Sequence, residues 1–159
     1  MAGGNLQVRS ETEGSASENG VRAKVRFDFK GVSRRGRFLL GSKPTDKVAE
    51  DAREQHVALF RNVPVQGIRI EDIDMSGQIY TVYDESANAE VAFAPVEVTL
   101  WADNLEDIIR FVSREEFRRI EVLAPPSLLL SRIDIERLIF KVHEEMKHVR
   151  EWVERKYVR

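Results

Sequence analysis

The stretch VRAKVRFDFK, residues 21–30, decides the fold. It alternates without a break for ten residues. Val21, Ala23, Val25, Phe27 and Phe29 fall on one side, with Arg22, Lys24, Arg26, Asp28 and Lys30 on the other. A period of two is the signature of a strand with one face in a core and one in water. Working outward, a turn around residues 33–36 leads into RFLL, which predicts a hairpin whose loop is rich in Arg34 and Arg35. On the other side, residues 1–20 hold four of the nine glycines and no aromatic residue, so they cannot bury enough surface to offset their ordering entropy. They read as a disordered tail.

Beyond the first strand, Thr45 and Asp46 are set to cap a short helix through about Gln55, with Val48 and Ala52 as inner contacts. From Val57 to Trp101 the apolar runs VALF, VQGIRIEDIDM, QIYTVY and EVAFAPVEVTLW read as strands between polar turns. Pro64 and Pro95 lack a ladder donor, so their surroundings should be edges, bulges or strand breaks. Residues 21–102 are thus expected to form a β-rich lobe, a curved sheet or a small barrel.

The pattern then changes to helical spacing, and residues 103–159 are expected to form a helical C-terminal part packed on the same sheet. Asp103 and Glu106 make a capping pair ahead of Leu105, Ile108, Ile109 and Val112, and Ser113 with Glu116 repeats the signature. IEVLA reads as a short strand stopped by Pro125 and Pro126, so a right-handed β-α-β unit is expected here. Ser131 with Asp134 opens a last helix over about 132–157, about 39 Å long at 1.5 Å per residue. Its apolar residues Ile135, Leu138, Val142, Met146, Val149, Val153 and Tyr157 recur at intervals of 3, 4, 4, 3, 4 and 4, one stripe along one face. Ile139 and Phe140 widen the stripe at its start and Trp152 adds an aromatic near its end. The fold class is therefore α+β, ending in a β-α-β-α part with a long terminal helix. The first half of that helix is expected to pack on the sheet and the second half to project.

Composition excludes more chemistry than it supports. With no cysteine among 159 residues there is no disulfide, thiol nucleophile or cysteine-based metal centre. No run approaches the roughly 18 to 20 apolar residues of a membrane span, and no secretory signal pattern opens the chain, so no membrane partner and a cytoplasmic location are expected. The net charge of −2 hides strong blocks. Residues 21–43 carry eight basic and one acidic residue, a net +7, and residues 44–110 carry five basic and fourteen acidic residues, a net −9. Blocks of this kind speak to partners and association and say nothing about fold.

Candidate sites follow from these patterns. HEEMKH, residues 143–148, approaches a zinc-protease signature, but His143 and His148 are five residues apart, roughly 140° around a helix, so one ion cannot take both. Asp72, Asp74 and Ser76, followed by Gly77, resemble the front half of a calcium loop, yet Tyr83 stands where a bidentate Glu is needed, and an acidic hairpin turn with Ser76 and Gly77 at its corner is the simpler reading. No metal or other cofactor is expected. Arg22, Lys24, Arg26, Lys30, Arg34, Arg35 and Arg37 form a basic hairpin suited to phosphates, without exposed aromatics for base stacking, and their simplest partner is the acidic block. GxSxG, GxGxxG and GxxxxGK are absent, so catalysis is not expected.

The functional expectation is a non-catalytic interaction or regulatory module. It self-associates through the last helix by Met146, Val149, Trp152, Val153 and Tyr157, a dimer being favoured, with another protein as a further partner. Nucleic-acid binding by the basic hairpin and a small-molecule sensor with a pocket between sheet and C-terminal helices are the alternatives.

Overall fold

The computed structural model describes residues 19–32 and 44–158. The elements run β1 (Val21–Val32), α1 (Thr45–Asn62), β2 (Ile68–Asp74), β3 (Tyr80–Asp84), β4 (Ala89–Ala102), α2 (Leu105–Val112), β5 (Phe117–Ala124) and α3 (Arg132–Tyr157). The expected tail, except for Asn19 and Gly20, lies outside the described residues, as do the turn after β1, RFLL, Arg34, Arg35 and Arg37. Among the described residues no helix is long and apolar enough to cross a membrane.

The chain is α+β, built on one five-stranded antiparallel sheet. Among the described residues the sheet is open and does not close into a barrel. Its order is β2-β4-β1-β5, with β3 also beside β4. β1 pairs along its whole length with β4 and from Arg22 to Phe27 with β5, so the alternating strand is central. Because β4 and β5 are both antiparallel to β1, they are parallel to each other with β1 inserted between them. The expected β4-α2-β5 unit is therefore split, and the β1-α1-β2 unit is split by β4 in the same way.

Two local readings change. VALF is the end of α1 and not a strand: the helix runs eighteen residues, and Ala49, Arg53, Val57 and Phe60 form its buried face at intervals of 4, 4 and 3. A four-residue apolar run cannot by itself distinguish a strand from the buried face of a helix. Nor do β2 and β3 form a hairpin around Ser76 and Gly77. Both pair with β4, at Ile68–Asp74 and at Tyr80–Asp84, so they are two halves of one interrupted edge strand. The hairpin turn comes later, at residues 85–88, where Asn88 takes a left-handed φ of 48°.

Pro95 lies opposite the interruption, where no ladder donor is required. Arg53 fills the gap from α1. Its guanidinium donates to the carbonyls of Gly77 at 2.9 Å and Pro95 at 3.1 Å, and also to Glu50. A cation thus satisfies one backbone acceptor on each side of the break, Gly77 in the interrupted edge and Pro95 on β4.

The core lies between one sheet face and α1 with α2. Phe27 is its centre, with the rings of Phe29, Phe60, Phe111 and Phe117 at 5.5 to 6.4 Å. Arg114 closes one side, its guanidinium carbon 5.2 to 5.4 Å from the ring centroids of Phe27, Phe60 and Phe111. Burial lowers the pKa of that cation, and the ring faces partly replace the water it loses. Where α1 crosses β1, Gly31 leaves no room for a side chain: a Cβ there would lie 2.2 Å from the Ala49 nitrogen.

The N-cap of α2 is Asn104, one residue after the expected Asp103, and accepts from the Asp107 amide at 2.9 Å. The helix ends at Val112 without restarting at Ser113, whose hydroxyl bonds back to the Ile109 carbonyl at 2.6 Å. The Ser131–Asp134 capping box of α3 is present as expected. The expected packing of the first half of α3 on the sheet is corrected: α3 packs against α2, and none of its residues is buried.

Candidate functional site

Two surfaces carry the residues singled out above. The first is the sheet face opposite α1 and α2. On β1 it presents Arg22, Lys24, Arg26, Asp28 and Lys30, opposite Trp101, Thr99, Glu97, Pro95 and Phe93 of β4. Its cations are matched by carboxylates within the same strand or on other strands of the sheet. Arg22 pairs with Glu71 at 2.7 Å, Arg26 with Asp28 at 2.8 Å, Lys30 with Asp84 at 3.8 Å and Arg119 with Glu97 at 3.1 Å. Lys24 lies in the field of Asp74. The described cations of β1 and carboxylates of the acidic block 44–110 thus meet across one sheet. The four described members of the expected basic hairpin spend much of their field inside the molecule.

At the centre of this face Asp28 is only 2 % exposed. It holds Arg26, accepts from the Tyr80 hydroxyl at 2.6 Å and lies 3.6 Å from Arg118. The hydrogen bond to Asp28 raises the Arg26 pKa, while burial and then the same carboxylate raise that of Tyr80. Phe93 stacks on Tyr80 at 5.4 Å and carries the Arg118 guanidinium over its ring at 5.4 Å. A buried carboxylate satisfied by two cations and a phenol is a structural knot.

The acidic positions do not converge. Asp72 and Asp74 belong to β2; the Ser76 hydroxyl first, and then the Ser76 amide that donates to Asp74 at 2.7 Å, hold the Asp74 pKa below the usual carboxylate value. Among the described residues no group of three or more metal-ligating side chains lies close enough to share an ion. His148 lies 3.8 Å from Glu145 on its own helix, and His56 stacks on Phe29 at 4.3 Å. The space between the sheet and α1 with α2 is filled by the phenylalanine cluster. Outside it, a groove of about 520 Å³ between α2 and α3 is bordered by Glu106, Ile133, Arg137 and Phe140.

The second surface is α3. From Met146 to Val158 every residue is exposed, thirteen in a row. The side turned toward α2 is marked by the partly buried Leu138, Lys141 and Glu145, with Lys141 bonded to Glu145 at 3.1 Å. Roughly 90° around the helix runs a different row, Ile135, Ile139, Val142, Met146, Val149 and Val153, whose exposure ranges from 40 % to 67 %. Its intervals are 4, 3, 4, 3 and 4, the alternation of a coiled-coil seam.

Exposure thus sorts what sequence spacing left mixed, because Leu138 belongs to the α2 side and Ile139 to the seam. Of the expected contact residues, Met146, Val149 and Val153 share the seam and Tyr157 lies at its margin. Trp152 sits about 100° away, with Lys156 Nζ 4.5 Å from its ring. Ile135, Ile139 and Val142 extend the surface toward the start of the helix. The strict 4-3 alternation was the signal that could have found them. No family model, curated protein or solved structure matches the chain.

Proposed function

We propose that this protein is a non-catalytic interaction module that self-associates through the exposed seam of α3. The observation that carries the reading is the contrast along that helix: from Met146 through the C-cap Val158 thirteen consecutive residues are exposed, and an ordered apolar row runs among them. An isolated helix segment of this length is marginal in water, so its stability calls for packing against another surface. A second copy of the same helix offers a complementary row at the same spacing.

The strength of such a pair can be bounded. Covering the exposed half of each seam side chain contributes about 1 kcal/mol, which for six per copy gives on the order of 12 kcal/mol. Association costs roughly 4 to 15 kcal/mol, so the expected dimer lies in the micromolar range or weaker. Light scattering at rising concentration tests it. The intact chain should approach twice the monomer mass, and a Val149→Glu, Val153→Glu variant should stay monomeric while keeping the far-ultraviolet spectrum of the sheet. An intact chain that stays monomeric into the millimolar range defeats the reading.

A further inference from the structure

We infer that the two copies of α3 run antiparallel, in a register that sets Ile139 against Val149 of the second copy. This rests on the self-association reading and adds the geometry of the pair.

The seam itself argues against the parallel arrangement. With Ile139, Met146 and Val153 at one heptad position, conventionally a, the other seam position, d, holds Ile135, Val142 and Val149, all β-branched. Parallel two-stranded coils favour Leu at that second position, and branching at both positions shifts parallel helices to three or four strands. In an antiparallel pair each a residue meets a d residue of the other helix. One register uses all six seam residues: Ile135 meets Val153, Ile139 meets Val149, and Val142 meets Met146, each twice by symmetry. Shifting by a heptad in either direction leaves two of the six uncovered on each copy.

The flanks fit the same register. Glu136 on one copy comes opposite Arg150 on the other, giving two opposite-charge pairs per dimer. Among the described residues neither has an ion-pair partner within its own chain, and both are exposed. On the other flank, the side where α2 lies, Leu138 meets Trp152, which explains why that tryptophan stands off the seam yet remains useful to it. Glu145 faces its own copy near the symmetry axis, and each is held by its Lys141 at 3.1 Å, which blunts the repulsion. The projecting half of one helix thereby lies along the base of the other, so the row that its own body leaves bare is covered by the other copy.

The absence of cysteine makes the register directly testable. An Ile139→Cys, Val149→Cys double variant, oxidised at a concentration where the intact chain dimerises, should give a covalent dimer in high yield. Each single variant should give little. A parallel pair reverses this, because Val149→Cys alone would then meet itself, and that result overturns the register while leaving self-association standing. Failure of the double variant to cross-link although it dimerises also overturns it. A charge exchange gives a second readout free of core substitutions. Arg150→Glu should weaken the dimer about tenfold, and adding Glu136→Arg should restore it. No restoration counts against the antiparallel register, and a monomeric parent chain removes both proposals together.

Discussion

The two long segments that frame this chain, β1 and α3, are both amphipathic, and they end in opposite situations. In β1 the residues Val21, Ala23, Val25, Phe27 and Phe29 are essentially without solvent contact, and most of the charged residues that alternate with them find carboxylates on β2, β3 or within the strand. In α3 no residue is buried, and the apolar row is exposed from Ile135 to Val153. The same kind of pattern is satisfied inside the molecule in one case and left open in the other. An amphipathic pattern therefore specifies that a face must be covered, and the topology decides whether the cover lies within the chain or outside it.

The largest effect expected is also the most direct way to break that contrast. Phe27→Ala removes the ring around which four other phenylalanines gather and should cost about 3 to 5 kcal/mol in chemical denaturation. Ile139→Ala, measured at a concentration where the chain is monomeric, should change stability by less than about 0.5 kcal/mol, because its side chain has no core to leave. Comparable losses from the two variants would mean that the seam is already covered within one chain.

Much of the fold is legible in the sequence. The alternation in β1 and its buried side, the strands β2 to β5, α2 and the capping box of α3 all follow from spacing and from side chains that satisfy helix ends. What was not legible depended on contacts between distant segments. VALF could be placed in α1 only by recognising that Val57 and Phe60 continue the face of Ala49 and Arg53. The interruption between β2 and β3 was hinted at by Pro95, but nothing local shows that Arg53 would reach across from a helix to close it. Likewise the stripe of α3 was visible, while its division between Leu138 facing α2 and Ile139 in the seam required knowing where α2 lies.

Arg53 gives the intermediate effect. It is a buried cation placed where a side chain, and not a strand, satisfies the sheet. Arg53→Met keeps much of the stem and removes the donors to Gly77 and Pro95, so about 2 kcal/mol should be lost. Arg53→Lys should recover little, since one ammonium cannot reproduce the fork that spans both carbonyls and Glu50. Full recovery by lysine would show that charge alone, without geometry, closes the break.

The smallest effect sharpens the comparison on the outer face of the sheet. Tyr80→Phe deletes the 2.6 Å bond to Asp28 and keeps the ring on Phe93. Asp28 still has Arg26 at 2.8 Å and Arg118 at 3.6 Å, so the carboxylate stays compensated and the loss should be about 1 kcal/mol. The tyrosine itself titrates above its ordinary value, first because burial disfavours its anion and then because Asp28 already carries the charge there. A folded pKa raised above the unfolded one contributes stability below the unfolded pKa that is lost as the pH rises through the folded value, so the parent chain should lose stability in the alkaline range above about pH 10. Tyr80→Phe should lack that component of the decline. If parent and variant decline in parallel above pH 10, the hydroxyl is hydrated in solution, and this face of the sheet is as open as the seam of α3 instead of being knotted around Asp28.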